Sequence, residues 1–235
     1  GNHFIEVDVD EKGAFWLLVH TGSRKFGYDV AAYHQRVANE GHGKRNELNW
    51  LDVGEPEGQL YLQDMRMAQS FAEINCINIS QEVAKWFYAE GYVTDVDLMR
   101  FDTVHNYVDF SLLVKPFNQS PLLHKGAVRA LADELFVVPF NMAAGAVVCR
   151  GKGNEDWNCS APHGAGRVMS RGEARRTLKL EDYEKQMADV WSSCVSQKTL
   201  DEAPSAYKDA VAIRESLEPT ADVVHELRPV YNFKA

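Results

Sequence analysis

The stretch Asn2-His3-Phe4-Ile5-Glu6-Val7-Asp8-Val9-Asp10 alternates apolar and polar residues, the two-residue period of a strand. Glu11-Lys12-Gly13 follows as a turn, and Phe15 to Thr21 is a run with the look of a buried strand, so the first 21 residues predict a β-hairpin. Gly22-Ser23-Arg24 then turns the chain into a helix from Phe26 to Glu40. Gly41 to Gly58 is rich in glycine and charge and predicts a loop. Leu60 to Glu90 carries apolar residues near helical spacing at Met65, Ala68, Phe71, Ala72, Ile74 and Ile79, and stops at Gly91. Beyond Phe101 the pattern changes to short runs broken by Pro, Asn and Gly. Thr103 to Phe110, Lys125 to Ala130, Leu135 to Pro139 and Ala146 to Arg150 are strand candidates. Gly151 to Gly166 predicts an irregular loop. Helices are predicted at Ser170 to Leu178, Leu180 to Val190 and Pro204 to Leu217, the last with proline at its start, and a strand at Val223 to Phe233. Helices and strands come in mixed blocks without strict alternation, so the fold class is α+β, mixed sheets flanked by helices. No internal repeat interrupts residues 1–235, which predict one core.

Composition narrows the function classes. The chain has 235 residues, 45% hydrophobic and 25% charged, enough for a sizeable core. No apolar run approaches the ~20 residues of a membrane span, and no signal peptide opens the chain, so a cytoplasmic location without membrane attachment is expected. Cys76, Cys149, Cys159 and Cys194 form no C-x-x-C pair and are expected to be reduced thiols. A net charge of −9 argues against indiscriminate coating of nucleic acid. A local basic site remains compatible with it: Arg24, Lys25, Lys125, Arg129, Arg150, Lys152, Arg167, Arg171, Arg175 and Arg176 lie in or near the Gly- and His-bearing segments. Position 1 is Gly rather than Met, and an informative motif begins there, so the chain is expected to be the C-terminal part of something longer or a processed product.

The chemistry-bearing residues are histidines. His3, His20 and His105 each end or interrupt a strand-like run. Neutral imidazoles gathered at one end of a sheet can hold Mn2+ or Zn2+; taken singly, each such histidine is more often a hydrogen-bonded core residue. His34, His42 and His225 are expected at the surface. His163 stands in Ala161-Pro162-His163-Gly164-Ala165-Gly166-Arg167. Its small neighbours let a phosphate approach the ring, backbone N–H groups can form an anion nest, and Arg167 can neutralise transferred charge. A Gly-rich structural turn carrying a passive histidine is the alternative.

Taken together, the blocks resemble one family. Gly1-Asn2-His3-Phe4-Ile5-Glu6, His20-Thr21-Gly22-Ser23-Arg24, His105-Asn106-Tyr107, Lys125-Gly126-Ala127 and His163-Gly164-Ala165-Gly166-Arg167 with Ser170-Arg171 follow the order of RtcB RNA ligases. So do Asp201-Glu202-Ala203-Pro204 with Ala206-Tyr207-Lys208, and Arg228-Pro229 through Lys234. The resemblance implies an RtcB-like fold and a GTP- and Mn2+-dependent ligase joining RNA 3′-phosphate or 2′,3′-cyclic phosphate ends to 5′-hydroxyl ends, in tRNA splicing or RNA repair. It implies His163 as the guanylate-accepting nucleophile and His3, His20 and His105 as metal ligands, two Mn2+ being expected in the complete enzyme. Asn2, Phe4, Glu6, Asn106, Gly164, Ala165, Gly166, Tyr207 and Lys234 resemble the nucleotide pocket, as do Pro139, Phe140, Asn141 and Met142. Arg24, Lys125 and Arg167 are implied phosphate or RNA contacts. Archease and a separate N-terminal segment are implied partners.

The chain departs from the family pattern in places. Pro139-Phe140-Asn141-Met142 stands where many members have Pro-Gly-Ser-Met, and Ala146 replaces a hydroxyl position. The final residue is Ala235 where Gly is common. The Asp/Cys motif that supplies a carboxylate and a metal-bridging thiolate normally precedes GNHF, and residues 1–235 do not contain it. A non-catalytic relative that binds guanine nucleotide or RNA is therefore an alternative, and a metallophosphoesterase, suggested by Gly1-Asn2-His3, is a remote one.

Overall fold

The first hairpin forms where the alternation places it, with β1 at Phe4–Val9 and β2 at Phe15–His20. Asp10 locks the turn: its carboxylate accepts from the Lys12 and Ala14 amides at 2.9 Å and from Trp16 Nε1 at 3.0 Å. The structure, a computed structural model, describes residues 3–42, 48–94, 100–110 and 121–234. The chain divides into two compact units, Gly1–Leu18 with Leu98–Ala235, and Val19–Asp97.

The first unit carries an α+β arrangement built on two sheets. Strands β3 (His105–Asp109), β4 (Leu122–Arg129), β5 (Leu135–Asn141), β6 (Gly145–Gly151), β7 (Ser160–Pro162) and β8 (Ala221–Lys234) follow the hairpin. One sheet has the order β2-β1-β8-β6-β5 and the other β3-β4-β7. The pairs β1–β8, β6–β8, β5–β6, β3–β4 and β4–β7 are all antiparallel. The 14 residues of β8 let it border β1 along one edge and β6 along the other.

Burial follows side-chain period. Phe136, Val138 and Phe140 of β5 alternate into a core with Val147, Cys149 and Leu217. Ala146 and Val148 of β6 face the other way, into a cluster with Leu18 and Leu227. Both faces of β6 are thus covered, which is why its sequence is a continuous apolar run rather than an alternating one. A third cluster joins Met142 to Tyr183, Met187 and Leu200.

The helical part of this unit is more broken than the sequence predicts. Helix α3 covers Arg171–Thr177 and α4 covers Leu180–Gln186, although Met187 and Val190 beyond it are still buried. The predicted helix Pro204 to Leu217 is a 3₁₀ turn at Pro204–Ala206, an extended step at Tyr207, and α5 at Ala210–Leu217. Asp209 restarts the helix by accepting from the Val211 and Ala212 amides, while Tyr207 pairs with Arg167 instead. The predicted loop Gly151 to Gly166 contains β7, whose pairing to β4 positions the histidine that follows it.

In the second unit, α1 (Arg24–His42) and α2 (Pro56–Ala89) run longer than predicted, α2 starting at its proline. His34 corrects the surface expectation. It is buried, with Nε2 2.8 Å from Asp64 and its ring edge-on to Tyr61, because a helix-borne imidazole on the packed face is retained by a carboxylate partner. The side chain of His42 lies outside the described residues. Among the described residues no helix is long and apolar enough to cross a membrane.

Candidate active site

The site begins at an irregularity in β3. Asn106 adopts a left-handed backbone (φ 63°), and the β3–β4 register shifts between His105 and Tyr107. Asn106 tolerates that conformation because its short polar side chain bonds locally. Its Oδ1 accepts from the Gly126 amide at 3.2 Å, and its Nδ2 donates to His105 Nδ1 at 2.6 Å. The bulge ties two strands to one imidazole.

His163 directly follows β7, and Pro162 pairs with Ala127, which brings the ring over Gly126. His163 Nδ1 lies 2.7 Å from the Gly126 carbonyl oxygen. A carbonyl only accepts, so Nδ1 carries a proton, and in the neutral ring the lone pair is on Nε2. Gly126 itself sits at φ +71°, a conformation costly for a residue with a Cβ. The rings of His105 and His163 lie 5.1 Å apart. Burial, and then the nearby His163 and Lys125, hold the His105 ring below the usual imidazole range and hence neutral, the form that ligates metal.

The loop after His163 is fixed from both sides. The Ala165 amide donates to the Pro139 carbonyl at 3.1 Å, and a Cβ at position 164 would meet that same oxygen at 3.0 Å. Lys208 N donates to Gly166 O and Val168 N to Ala206 O, which draws Tyr207 alongside Arg167.

A buried ionic network lies around Tyr207. Glu202 Oε2 accepts from the Tyr207 hydroxyl at 2.5 Å and from Lys234 Nζ at 2.8 Å. Its other oxygen accepts from Arg171 at 2.5 Å, with Arg167 Nη1 3.9 Å away. Asp201 accepts from Arg171 at 2.7 Å and Arg175 at 3.1 Å. Burial opposes ionisation of both acids, but these cations hold each carboxyl below its ordinary range. Arg167 is turned inward: Nε donates to Met169 O at 3.1 Å, Nη2 to Asp201 O at 2.6 Å, and the guanidinium stacks over Tyr207.

Beside the network, β1 presents carboxylates to the interior. Glu6, Asp8 and Asp10 are buried while Ile5, Val7 and Val9 are half-buried. Glu6 accepts from Asn232 Nδ2 and is pushed well up, first by burial and then by Asp8. Asp8 is fully buried with Glu6 as its polar neighbour, and burial raises it to about 7 against a smaller lowering by Glu6. Phe4 pairs with Lys234 across β1–β8, with the ammonium 5.9 Å from the ring centroid.

The structure thus gathers His105, Asn106, Gly126, His163, Gly164 and Ala165 in one group, and Phe4, Arg167, Tyr207 and Lys234 in another. Lys125 is exposed next to Gly126. Phe140 and Met142 are core side chains, so only their backbone is available to a ligand. Asn141 Oδ1 is already used, accepting from Ala143 N at 3.0 Å and Ala144 N at 2.9 Å. His3 precedes β1; His20 ends β2 and Arg24 opens α1, both in the Val19–Asp97 unit. Asn2 lies outside the described residues.

Among the described residues, the donors that meet within 4.8 Å of one another are Asp10, Glu11 and His225. Their oxygens are committed to protein: Asp10 to the turn amides and Trp16, Glu11 to the Glu226 amide and His225. That group is a lock between the β1–β2 turn and β8.

Sequence reasoning passed over Glu202, Asp8, Asn232 and the buried His124–Asp109 pair as site candidates. Glu202 had a signal, since it stands in the Asp201-Glu202-Ala203-Pro204 block; Asp8 and Asn232 had none beyond alternation.

A family model described as "tRNA-splicing ligase RtcB" matches residues 1–235. The RNA-splicing ligase RtcB of Escherichia coli K12 is 32% identical over 243 residues, covering 98% of this chain and 58% of that protein. RNA-splicing ligase RtcB1 of Escherichia coli ATCC 25922 is 31% identical over 242 residues, with 98% and 58% covered. The tRNA-splicing ligase RtcB of Aeropyrum pernix is 26% identical over 276 residues, with 98% and 57% covered. The chain spans 58% of the length of the two Escherichia coli relatives it matches.

Proposed function

Because the chain belongs to the RtcB family, we propose that it is the guanylate-transfer portion of an RNA ligase that joins RNA 3′-phosphate or 2′,3′-cyclic phosphate ends to 5′-hydroxyl ends. The observation that carries this reading is the His163 hydrogen bond to the Gly126 carbonyl, which leaves Nε2 as the only nucleophilic ring nitrogen.

Nε2 attacks the α-phosphorus of GTP; the N–P bond forms, the bond to the bridging oxygen breaks, and pyrophosphate leaves. The ring then carries positive charge, which the Gly126 carbonyl stabilises through the Nδ1 proton. Water first opens a 2′,3′-cyclic phosphate, breaking the bond to O2′ and leaving a 3′-phosphate. An oxygen of the RNA 3′-phosphate next displaces the imidazole and takes GMP. Finally the 5′-hydroxyl attacks the 3′-phosphorus, loses its proton and releases GMP. Lys234 and Tyr207 would face the base, while the amides around Gly164 and Gly166 would receive phosphate oxygens.

The neutral, Asn106-oriented His105 beside the nucleophile suits a divalent cation, and His3, His20 and His105 would hold Mn2+. That ion, when bound, neutralises phosphate charge and aligns attacking and leaving groups.

The test is incubation with α-labelled GTP and Mn2+, alone and with the remaining portion of a family member supplied. A covalent, acid-labile and base-stable label that disappears in His163→Ala supports the reading. Label surviving that substitution overturns the nucleophile. Tight GTP binding with no label under either condition favours instead a nucleotide-binding relative that does not ligate.

A further inference from the structure

Lys234 is a long, flexible side chain whose ammonium is almost wholly buried, 7% exposed, near the end of β8. An ammonium in that setting needs a fixed anion to hold one geometry. The anion is Glu202, itself 3% exposed at the end of the 3₁₀ segment Gln197–Glu202. The same carboxylate oxygen receives the Tyr207 hydroxyl. With its proton given to Glu202, the Tyr207 oxygen is left to accept, and Lys234 Nζ lies 3.5 Å from it. Glu202, Tyr207 and Lys234 therefore form a closed triangle. It engages two of the three ammonium donors. Arg171 secures the other carboxylate oxygen and fixes the rotation of the group.

Arg167, Arg171, Arg175 and Lys234 face Asp201 and Glu202, four cations against two carboxylates.

We propose that Glu202 is a positioning residue of the nucleotide pocket, one that touches no substrate but sets the Lys234 ammonium and the Tyr207 phenol in the single arrangement that selects guanine over adenine. The inference rests on the guanine-nucleotide reading above. Its chemistry is direct: an ammonium held in place donates to the O6 acceptor of guanine and meets an amino group at the same position of adenine. An ammonium free to turn loses that discrimination.

The experiment is calorimetric titration of the chain with GMP and with AMP in the presence of Mn2+, for the wild type, Glu202→Gln and Asp201→Asn. Gln keeps the volume of Glu202 and removes the charge. Asp201 is as buried and as heavily paired with arginine, but its carboxylate bonds neither Tyr207 nor Lys234. The expected result is that Glu202→Gln weakens GMP by about tenfold or more and lowers the GMP-to-AMP preference, the size of one charged hydrogen bond. Asp201→Asn loses thermal stability and keeps the preference. If Glu202→Gln does not fold, Glu202→Asp, which keeps the charge on a shorter arm, carries the same comparison. An unchanged preference in the Glu202 variant, or an equal loss in Asp201→Asn, overturns the role of Glu202 while wild-type GMP binding leaves the functional reading standing. A wild-type chain that binds no GMP overturns both.

Discussion

Replacing Asp8 with asparagine should make the protein more stable, and more so at alkaline pH. Asp8 is fully buried on β1, with the carboxyl of Glu6 beside it on the same face. Burial raises its pKa from 3.8 to about 7. A carboxyl whose folded value lies above its unfolded value favours the folded state while protonated, and that advantage is lost as pH rises through about 7. At pH 8 the folded chain must hold the ionised form against roughly three pH units of opposition, about 4 kcal/mol at 1.36 kcal/mol per unit. At pH 5 the folded carboxyl is still protonated and only the unfolded one has ionised, so the opposition is about 1.5 kcal/mol. Asparagine has nearly the same shape, never ionises, and its amide can donate to Glu6. Asp8→Asn should therefore gain about 2–3 kcal/mol more at pH 8 than at pH 5. With a urea slope of about 2–3 kcal/mol per M for a chain of this size, the midpoint moves up by about 1 M more at pH 8. Unfolding followed by tryptophan fluorescence at the two pH values measures this. A variant destabilised equally at both would refute the reasoning, because it would mean that burial does not oppose ionisation of Asp8 in the native protein.

Two further substitutions probe the site and its scaffold. Gly126→Ala should cost about 1–2 kcal/mol of stability for the left-handed backbone. It should also slow guanylation by shifting the carbonyl that orients His163, so a melt and a label time course together check it. Met142→Ala should cost about 2–5 kcal/mol, as a core truncation, with GMP affinity preserved in whatever fraction stays folded; a selective loss of GMP affinity with little loss of stability would place Met142 at the ligand instead.

Much of the fold is legible from local pattern. The hairpin follows from two-residue alternation, α1 and α2 from helical spacing, and β5 and β6 from apolar runs bounded by Pro139 and Gly145. Where local pattern misled, a long-range partner decided. Tyr207 looks helical beside Pro204, yet its backbone pairs with Arg167, and Asp209 must restart the helix two residues later. Ser160–Pro162 looks like loop, yet it finds an edge on β4. His34 looks like a surface helix residue until Asp64 of the neighbouring helix provides a partner.

The candidate site divides the same way. The sequence by itself determined the residue inventory: a Gly-flanked histidine, three strand-end imidazoles, and the ordered blocks that belong to one family. Those are matters of residue type and spacing along the chain. Only the tertiary structure decided which ring nitrogen of His163 is free, because the carbonyl that takes the other proton comes from Gly126, 37 residues away. Only it turned Glu6 and Asp8 inward, since alternation distinguishes two faces of a strand without saying which one is covered. And only it joined Glu202 to Lys234, 32 positions further along the chain, because a buried charge must be met by whichever opposite charge the fold brings within reach.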